Sequence, residues 1–136
     1  MAQETKTATL SWLGGMRFGS DAPGGATLVL DGDAQAGVSP VQALLLSAAA
    51  CSGSDVVMIL EKMRVELREF SIDARAVRRE EQPRRFLSMH FVFRIRGEGV
   101  DEAKARRAVE LSLEKYCSVV ASLAEDLPVT YDIDLG

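Results

Sequence analysis

Reactive side chains are scarce in this sequence of 136 residues, which contains two cysteines, one histidine and one tryptophan. Structural zinc normally takes four Cys or His ligands at close spacings, and Cys51, Cys117 and His90 are too few and too dispersed for such a site. Two cysteines are also too few for a disulfide-stabilised scaffold. The composition therefore predicts a protein without a metal ion or cofactor, stabilised by an ordinary hydrophobic core.

An excess of basic residues and a long apolar run are also absent. Lys and Arg number 16 against 20 Asp and Glu, a net charge of −4, and both signs are scattered along the chain. This pattern does not favour nucleic-acid binding, which needs a basic face. The most apolar run, Ala43–Cys51, is about half the ~20 residues of a membrane span. The first residues lack the apolar segment of a signal peptide. We therefore expect no membrane contact and a cytoplasmic location.

Alternation of apolar and polar residues predicts three short strands in the first part of the chain, at residues 5–12, 16–20 and 26–30. Residues 21–25 read as a turn. Ser39 then offers an N-cap side chain before Pro40, and apolar residues recur at spacings of three and four from Val41 to Met63. A long helix ending at about Arg64 follows from this pattern.

The second part of the chain predicts a hairpin, helical structure and a last strand. Residues 70–76 and 87–95 alternate on either side of a turn, and Asp101 is a candidate N-cap for a helix that continues through Cys117. Periodicity leaves open whether one helix or two precede a final strand at 129–135. His90 falls on the polar face of its strand, which favours a strand-face residue over a general base or ligand. The order describes an α+β chain with a single domain spanning 1–136.

The sequence around both cysteines resembles one known family. The segments that carry the resemblance are SPVQALLLSAAAC (39–51), DVVMIL (55–60) and LSLEKYCSV (111–119), supported by WLGGMRF (12–18), PRRF (83–86) and Gly97. They closely resemble the OsmC/Ohr family of thiol-dependent hydroperoxide reductases, over nearly the whole chain. The resemblance implies an intertwined homodimer with a long central helix and an active site at each subunit interface.

By the same resemblance, Cys51 matches the peroxidatic cysteine and Cys117 the resolving cysteine. The implied reaction reduces an organic hydroperoxide to an alcohol through a sulfenic acid on Cys51 and a Cys51–Cys117 disulfide. An external dithiol resets the pair, and in this family the dithiol is commonly a lipoylated protein. An ordinary thiol with a pKa of ~8.5 is only about 3% ionised at pH 7, so a cation should stabilise the Cys51 thiolate.

Arg17 lies where the family places such a cation, after a one-residue shift of the Gly-Gly-Arg motif. The alternative is an exposed strand arginine without a role. Val41 stands where the family has a glutamate that orients this arginine. Asp55 lies one helical turn after Cys51. It either holds Arg17 in place of that glutamate, or it caps a dimer contact and makes Cys51 a sluggish nucleophile.

Three functions remain open on this basis. The leading one is a cysteine-based peroxidase that acts against organic hydroperoxides. A second is a binding module that takes an apolar ligand and leaves both cysteines inert, which the missing glutamate favours. A third is a redox sensor whose disulfide changes partner binding. The run after Cys51 is more typical of a less-characterised OsmC-like subgroup, so the substrate stays undetermined.

Overall fold

The computed structural model describes residues 3–21 and 27–136 and divides into two compact units, residues 1–44 and 45–136. The first unit contains strands β1 (Leu10–Gly14), β2 (Arg17–Ser20) and β3 (Val29–Asp31), which form an antiparallel sheet in that order. The single-domain prediction for 1–136 stays a prediction.

The strands of the first unit are shorter than the sequence pattern predicts. β1 begins at Leu10 instead of residue 5, because Leu10 pairs with Ser20, where β2 ends and the ladder stops. Gly14 and Gly15 both have positive φ angles, +100° and +56°, which suits the tight β1–β2 turn. Most of the predicted turn at 21–25 and the start of the predicted third strand lie outside the described residues.

Helix α1 spans Pro40–Lys62 and has the predicted start. The Gln42 backbone N–H donates to Ser39 Oγ at 3.1 Å, and Pro40 is the first helical residue. The helix ends two residues before the predicted Arg64. Arg64 adopts a left-handed φ of +63°, and the Val65 N–H donates to the Leu60 carbonyl, as in a Schellman cap.

The apolar character of α1 extends beyond the run that the sequence analysis considered. An 18-residue window of the helix has a mean hydropathy of 1.9, enough by length and composition to cross a membrane, and 44% of it is buried inside the protein. The central helix of a globular core passes the same test, and α1 contributes six buried apolar side chains to such a core, among them Leu45, Val56 and Leu60. The fold gives the window a structural explanation.

The sheet of the second unit consists of β4 (Glu66–Arg78), β5 (Phe86–Glu98) and β6 (Val129–Asp134). β4 and β5 form the predicted hairpin, longer at both ends than expected, and β6 pairs in parallel with β5. The inner face of β5 is completely buried and contributes Met89, Phe91, Phe93 and Ile95 to the core.

Two helices and a π-helical turn connect β5 to β6, which answers the question that periodicity left open. α2 spans Glu102–Leu111, and Asp101 caps it by accepting from the Lys104 N–H at 2.8 Å, as predicted. The π-turn Ser112–Tyr116 follows, then α3, Ser118–Ala121. The prediction that the helix continues through Cys117 is wrong at that residue, since its φ of −72° and ψ of 103° are extended. The element order otherwise agrees with the predicted α+β chain.

Candidate functional site

The second unit brings together the side chains of Cys51 and Cys117, which are far apart in the sequence. Cys51 lies near the middle of α1 and is half-buried, whereas Cys117 follows the π-turn and is 3% exposed. Both are free thiols. The Cys51 side chain is close enough to form a hydrogen bond with the Cys117 thiol and to influence its ionisation.

The environment of Cys117 disfavours its thiolate. The pKa of Cys117 is raised from 9.0 to about 11, mainly by burial and with a smaller contribution from the neighbouring Cys51 side chain, against the opposing hydrogen bonds of the Val120 and Val119 N–H groups. The Val120 N–H lies 3.5 Å from Cys117 Sγ, at the start of α3. Cys117 is therefore a protonated thiol at neutral pH and can donate a hydrogen bond to a sulfur at Cys51.

Asp55 is hydrogen-bonded to one of two buried serines that join the segments carrying the two thiols. Its Oδ2 accepts from Ser112 Oγ at 2.9 Å, and Ser112 Oγ lies 2.8 Å from Ser52 Oγ. Both serines are completely buried, and Asp55 is half-buried. Within this unit the carboxylate thus has a hydroxyl donor, a contact that neither interpretation of Asp55 included. Its predicted pairing with Arg17 stays a prediction.

Arg17 belongs to the first unit, where it is exposed at the start of β2. Its Nη2 donates to the Leu13 carbonyl at 3.0 Å across the turn. The nearby Asp31 carboxyl is 3% exposed, and its pKa is lowered mainly by hydrogen bonds from the Ala36 and Asp33 N–H groups, with a smaller contribution from the Arg17 charge. Arg17 is a cation held at a defined turn, and its role toward Cys51 stays a prediction.

His90 lies on the outer face of β5, as the strand pattern predicts. Its ring nitrogens contact Thr130 Oγ1 at 2.7 Å and Asp132 Oδ2 at 3.0 Å, both on the neighbouring β6. These partners explain the histidine as part of a polar sheet face.

Sequence reasoning overlooked the serines. Ser112 lies within the 111–119 segment that resembles the family, but neither the resemblance nor the helical pattern assigns a role to Ser112 or to Ser52. The available signal was a polar residue at a core position, since a buried hydroxyl requires a hydrogen-bond partner. In the sequence nothing indicated that the partner of each serine would be the other.

Comparison with known proteins finds similarity over nearly the whole chain. Residues 31–132 match the family described as OsmC-like protein. Protein YhfA of Escherichia coli K12 is 33% identical over 129 residues, which cover 94% of this chain and 96% of the relative. The crystal structure of a hypothetical protein from Aquifex aeolicus has a TM-score of 0.85 at 30% identity and covers 98% of this chain and 99% of its own.

A more distant neighbour carries a functional name. The organic hydroperoxide resistance protein OhrB of Bacillus subtilis has a TM-score of 0.66 at 19% identity, covering 95% of this chain and 98% of its own. At that identity the likeness shows a shared fold. Together with the family match and the full-length relatives, it confirms the α+β fold of the single chain and the family that the resemblance indicated: this chain belongs to the OsmC-like protein family.

Proposed function

We propose that the protein is a cysteine-based peroxidase that reduces organic hydroperoxides. The observation that carries the proposal is the contact between a half-buried thiol, Cys51, and a buried protonated thiol, Cys117, on two segments distant in sequence. A two-step thiol peroxidase needs this asymmetry, because one thiol must react with the peroxide while the other stays reduced and close enough to attack the resulting sulfenic acid.

In the first step the Cys51 thiolate attacks the distal oxygen of the hydroperoxide. A sulfur–oxygen bond forms and the oxygen–oxygen bond breaks. The alkoxide half of the peroxide leaves and takes up a proton to become the alcohol. The sulfur is oxidised by two electrons to a sulfenic acid. In this proposal Arg17 provides the cation that stabilises the thiolate and the departing oxygen.

In the second step Cys117 attacks the sulfenic sulfur. The sulfur–sulfur bond forms, and the hydroxyl of the sulfenic acid leaves with the Cys117 proton as water. An external dithiol, for which a lipoylated protein is the family's usual choice, then reduces the disulfide through a mixed disulfide and is itself oxidised. No metal or cofactor takes part in these steps.

The active protein is, in this proposal, an intertwined homodimer in the cytoplasm. Large apolar side chains are exposed in both units, a feature that favours a covering partner; they include Trp12, Met16, Leu28, Leu46 and Met58. The resemblance implies that this partner is a second copy of the chain, with an active site at the interface.

Turnover of cumene hydroperoxide with dihydrolipoamide tests the activity. We expect wild type to consume peroxide, Cys51→Ser to lose all activity, and Cys117→Ser to accumulate Cys51 sulfenic acid without a disulfide. Intact-mass measurement after substoichiometric peroxide should show one disulfide per wild-type chain. Absence of Cys51-dependent consumption would contradict the proposal.

Co-expression of two inactive chains tests the interface. If the Arg17 that serves each Cys51 comes from the other chain, heterodimers of Cys51→Ser and Arg17→Ala contain one complete site and regain about half of the wild-type activity. Sites built within one chain would leave these heterodimers as inactive as the parents.

The binding module remains a second candidate because Val41 occupies the position of the family's glutamate. A site without that carboxylate lacks the group that orients the arginine in the family. The same mass measurement separates the two functions, since an apolar-ligand module keeps both thiols alkylatable after peroxide treatment. Restoring the carboxylate with Val41→Glu should increase the rate of Cys51 oxidation if Arg17 serves the thiolate.

A further inference from the structure

A buried cluster of Ser52, Asp55 and Ser112, called here the serine–aspartate cluster, connects the segments that carry the two cysteines. Ser52 directly follows Cys51 on α1, and Asp55 lies one turn further on the same helix. Ser112 begins the π-turn that ends immediately before Cys117. Both hydroxyls are completely shielded from solvent.

The direction of the hydrogen bonds in this cluster follows from proton counting. An ionised carboxylate only accepts, so Ser112 donates its single hydroxyl proton to Asp55 Oδ2 over 2.9 Å. Ser52 then donates to Ser112 Oγ over 2.8 Å. The chain of hydroxyls ends on a charge, and hydrogen bonds to charged groups are stronger than those between neutral groups.

Ser112 also holds Cys117 through its backbone. The Cys117 N–H donates to the Ser112 carbonyl at 2.7 Å, which closes the π-turn. Single π-turns are rare and occur frequently at functional sites. One residue therefore anchors the π-turn to α1 with its side chain and fixes the backbone of Cys117 with its carbonyl.

We propose that Asp55 and Ser112 are positioning residues for disulfide formation: they hold Cys117 within reach of oxidised Cys51 and govern the second chemical step, leaving the first unchanged. This inference rests on the proposed peroxidase function. It gives Asp55 a role that requires neither a contact with Arg17 nor an effect on the Cys51 thiolate. A displacement of about 1 Å in a reacting group can reduce a rate about 100-fold, so loss of the Ser112 side-chain contact should lower the rate of disulfide formation measurably.

The test separates the two steps in the full-length chain. Fully reduced protein receives one equivalent of cumene hydroperoxide and is quenched over time with dimedone, which traps sulfenic acid, or with acid and an alkylating reagent. Intact mass then reports sulfenic acid and disulfide separately. The variants are Ser112→Ala, which removes the anchor, and Asp55→Asn, which keeps an acceptor oxygen and removes the charge.

Ser54→Ala is the matched control. Ser54 is an exposed serine on the same helix, and its hydroxyl donates to the Ala50 carbonyl at 2.9 Å, away from the cluster. We expect the control to match wild type in both steps. Ser112→Ala should slow disulfide formation on the order of 10-fold to 100-fold, with a smaller decrease in Asp55→Asn, and sulfenic acid should form at an unchanged rate in both.

Each outcome decides one question. Wild-type protein that forms no sulfenic acid and no disulfide overturns the proposed peroxidase. Wild-type disulfide formation with an unchanged second step in the cluster variants overturns the positioning role and leaves the peroxidase intact. An altered first step in Asp55→Asn shows instead that the carboxylate acts on Cys51. If Ser112→Ala does not fold, the comparison rests on Asp55→Asn, whose side chain is only half-buried. Partial unfolding of that variant would lower the fraction of chains that react, but the folded chains would keep their ratio of disulfide formation rate to sulfenic acid formation rate.

Discussion

The two faces of strand β5 are stabilised by different forces. The inner face carries four apolar side chains with no solvent exposure, Met89, Phe91, Phe93 and Ile95. The outer face carries His90, Arg94 and Arg96, which pair with aspartates of the neighbouring strands. The outer face makes more polar contacts, but partly exposed ion pairs contribute little to stability, whereas buried apolar area contributes most of it.

Truncation of the inner face should have the largest effect. Phe93 is completely buried, stacks on Phe70 with ring centroids 6.3 Å apart and meets Phe91 edge to face at 6.1 Å. We expect Phe93→Ala to lower the free energy of unfolding by about 3–5 kcal/mol, from lost burial and the cavity left behind. Urea denaturation measures this loss.

Val92→Ala is the matched control, because Val92 is the next residue along β5 and points to the outer face. If Val92→Ala lowered the free energy of unfolding as much as Phe93→Ala does, the two faces would not differ in their contribution to stability.

The buried thiol should make stability depend on alkaline pH. The pKa of Cys117 is raised from 9.0 to about 11, so between these values the unfolded chain releases this proton while the folded chain keeps it. Unfolding is then favoured, and stability falls by about 1.4 kcal/mol per pH unit as pH rises through this window. Urea unfolding between pH 8 and about 11 should show this loss in wild type, with a shallower slope in Cys117→Ala. Parallel curves for the two proteins would show that the thiol is not shielded from water.

Removal of the central cation of the outer face should have a smaller effect. Arg94 contacts Asp73 Oδ2 at 2.6 Å and Asp134 Oδ2 at 2.7 Å, and its side chain is 46% exposed. We expect Arg94→Gln to shift the urea midpoint much less than Phe93→Ala, and the shift should shrink between roughly 0.05 and 1 M salt because salt screens exposed pairs. A large shift of the urea midpoint that does not depend on salt would show that Arg94 contributes as much to stability as a core residue.

The smallest effect is expected at Asp134, in acid. The Gly136 N–H, with Arg96 and Arg94, lowers the pKa of Asp134 below its ordinary value of 3.8. Its stabilising contribution is present above that value and is lost as pH falls through the lowered pKa. Asp134→Asn should therefore weaken the fold slightly at neutral pH and flatten the decline below pH ~4, measured by thermal unfolding. Glu114→Gln, an exposed carboxylate of the π-turn, is the control and should leave the acid limb unchanged.

Local patterns in the sequence predicted most of the elements. The N-cap at Ser39 and the N-cap at Asp101 are local signals, and both helices begin where these caps place them. Strand alternation predicted the hairpin, because burial of one sheet face imposes a period of two. The boundaries of β1 and the parallel pairing of β6 with β5 were not predictable in this way, since each depends on a partner strand distant in sequence.

The residues of the candidate site were likewise predictable from the sequence only in part. Segment resemblance identified Cys51, Cys117, Arg17 and Asp55, and local spacing put Asp55 one turn from Cys51. The break at Cys117 was missed, because the π-turn is closed by the Ser112 carbonyl and held to α1 by the Ser112 hydroxyl. Helical periodicity does not report a contact of this kind.

Local signals in the sequence were sufficient for most of the element order, for the starts of α1 and α2 and for the family, because caps, periodicity and motifs are properties of neighbouring residues. Tertiary packing brings Cys51 and Cys117 together, leaves one half-buried and the other a protonated thiol, and joins the segments that carry them through two serines and an aspartate. The physical reason is that hydrogen bonding and loss of solvent depend on which segments pack together. Residues more than fifty positions apart acquire their chemistry from that packing.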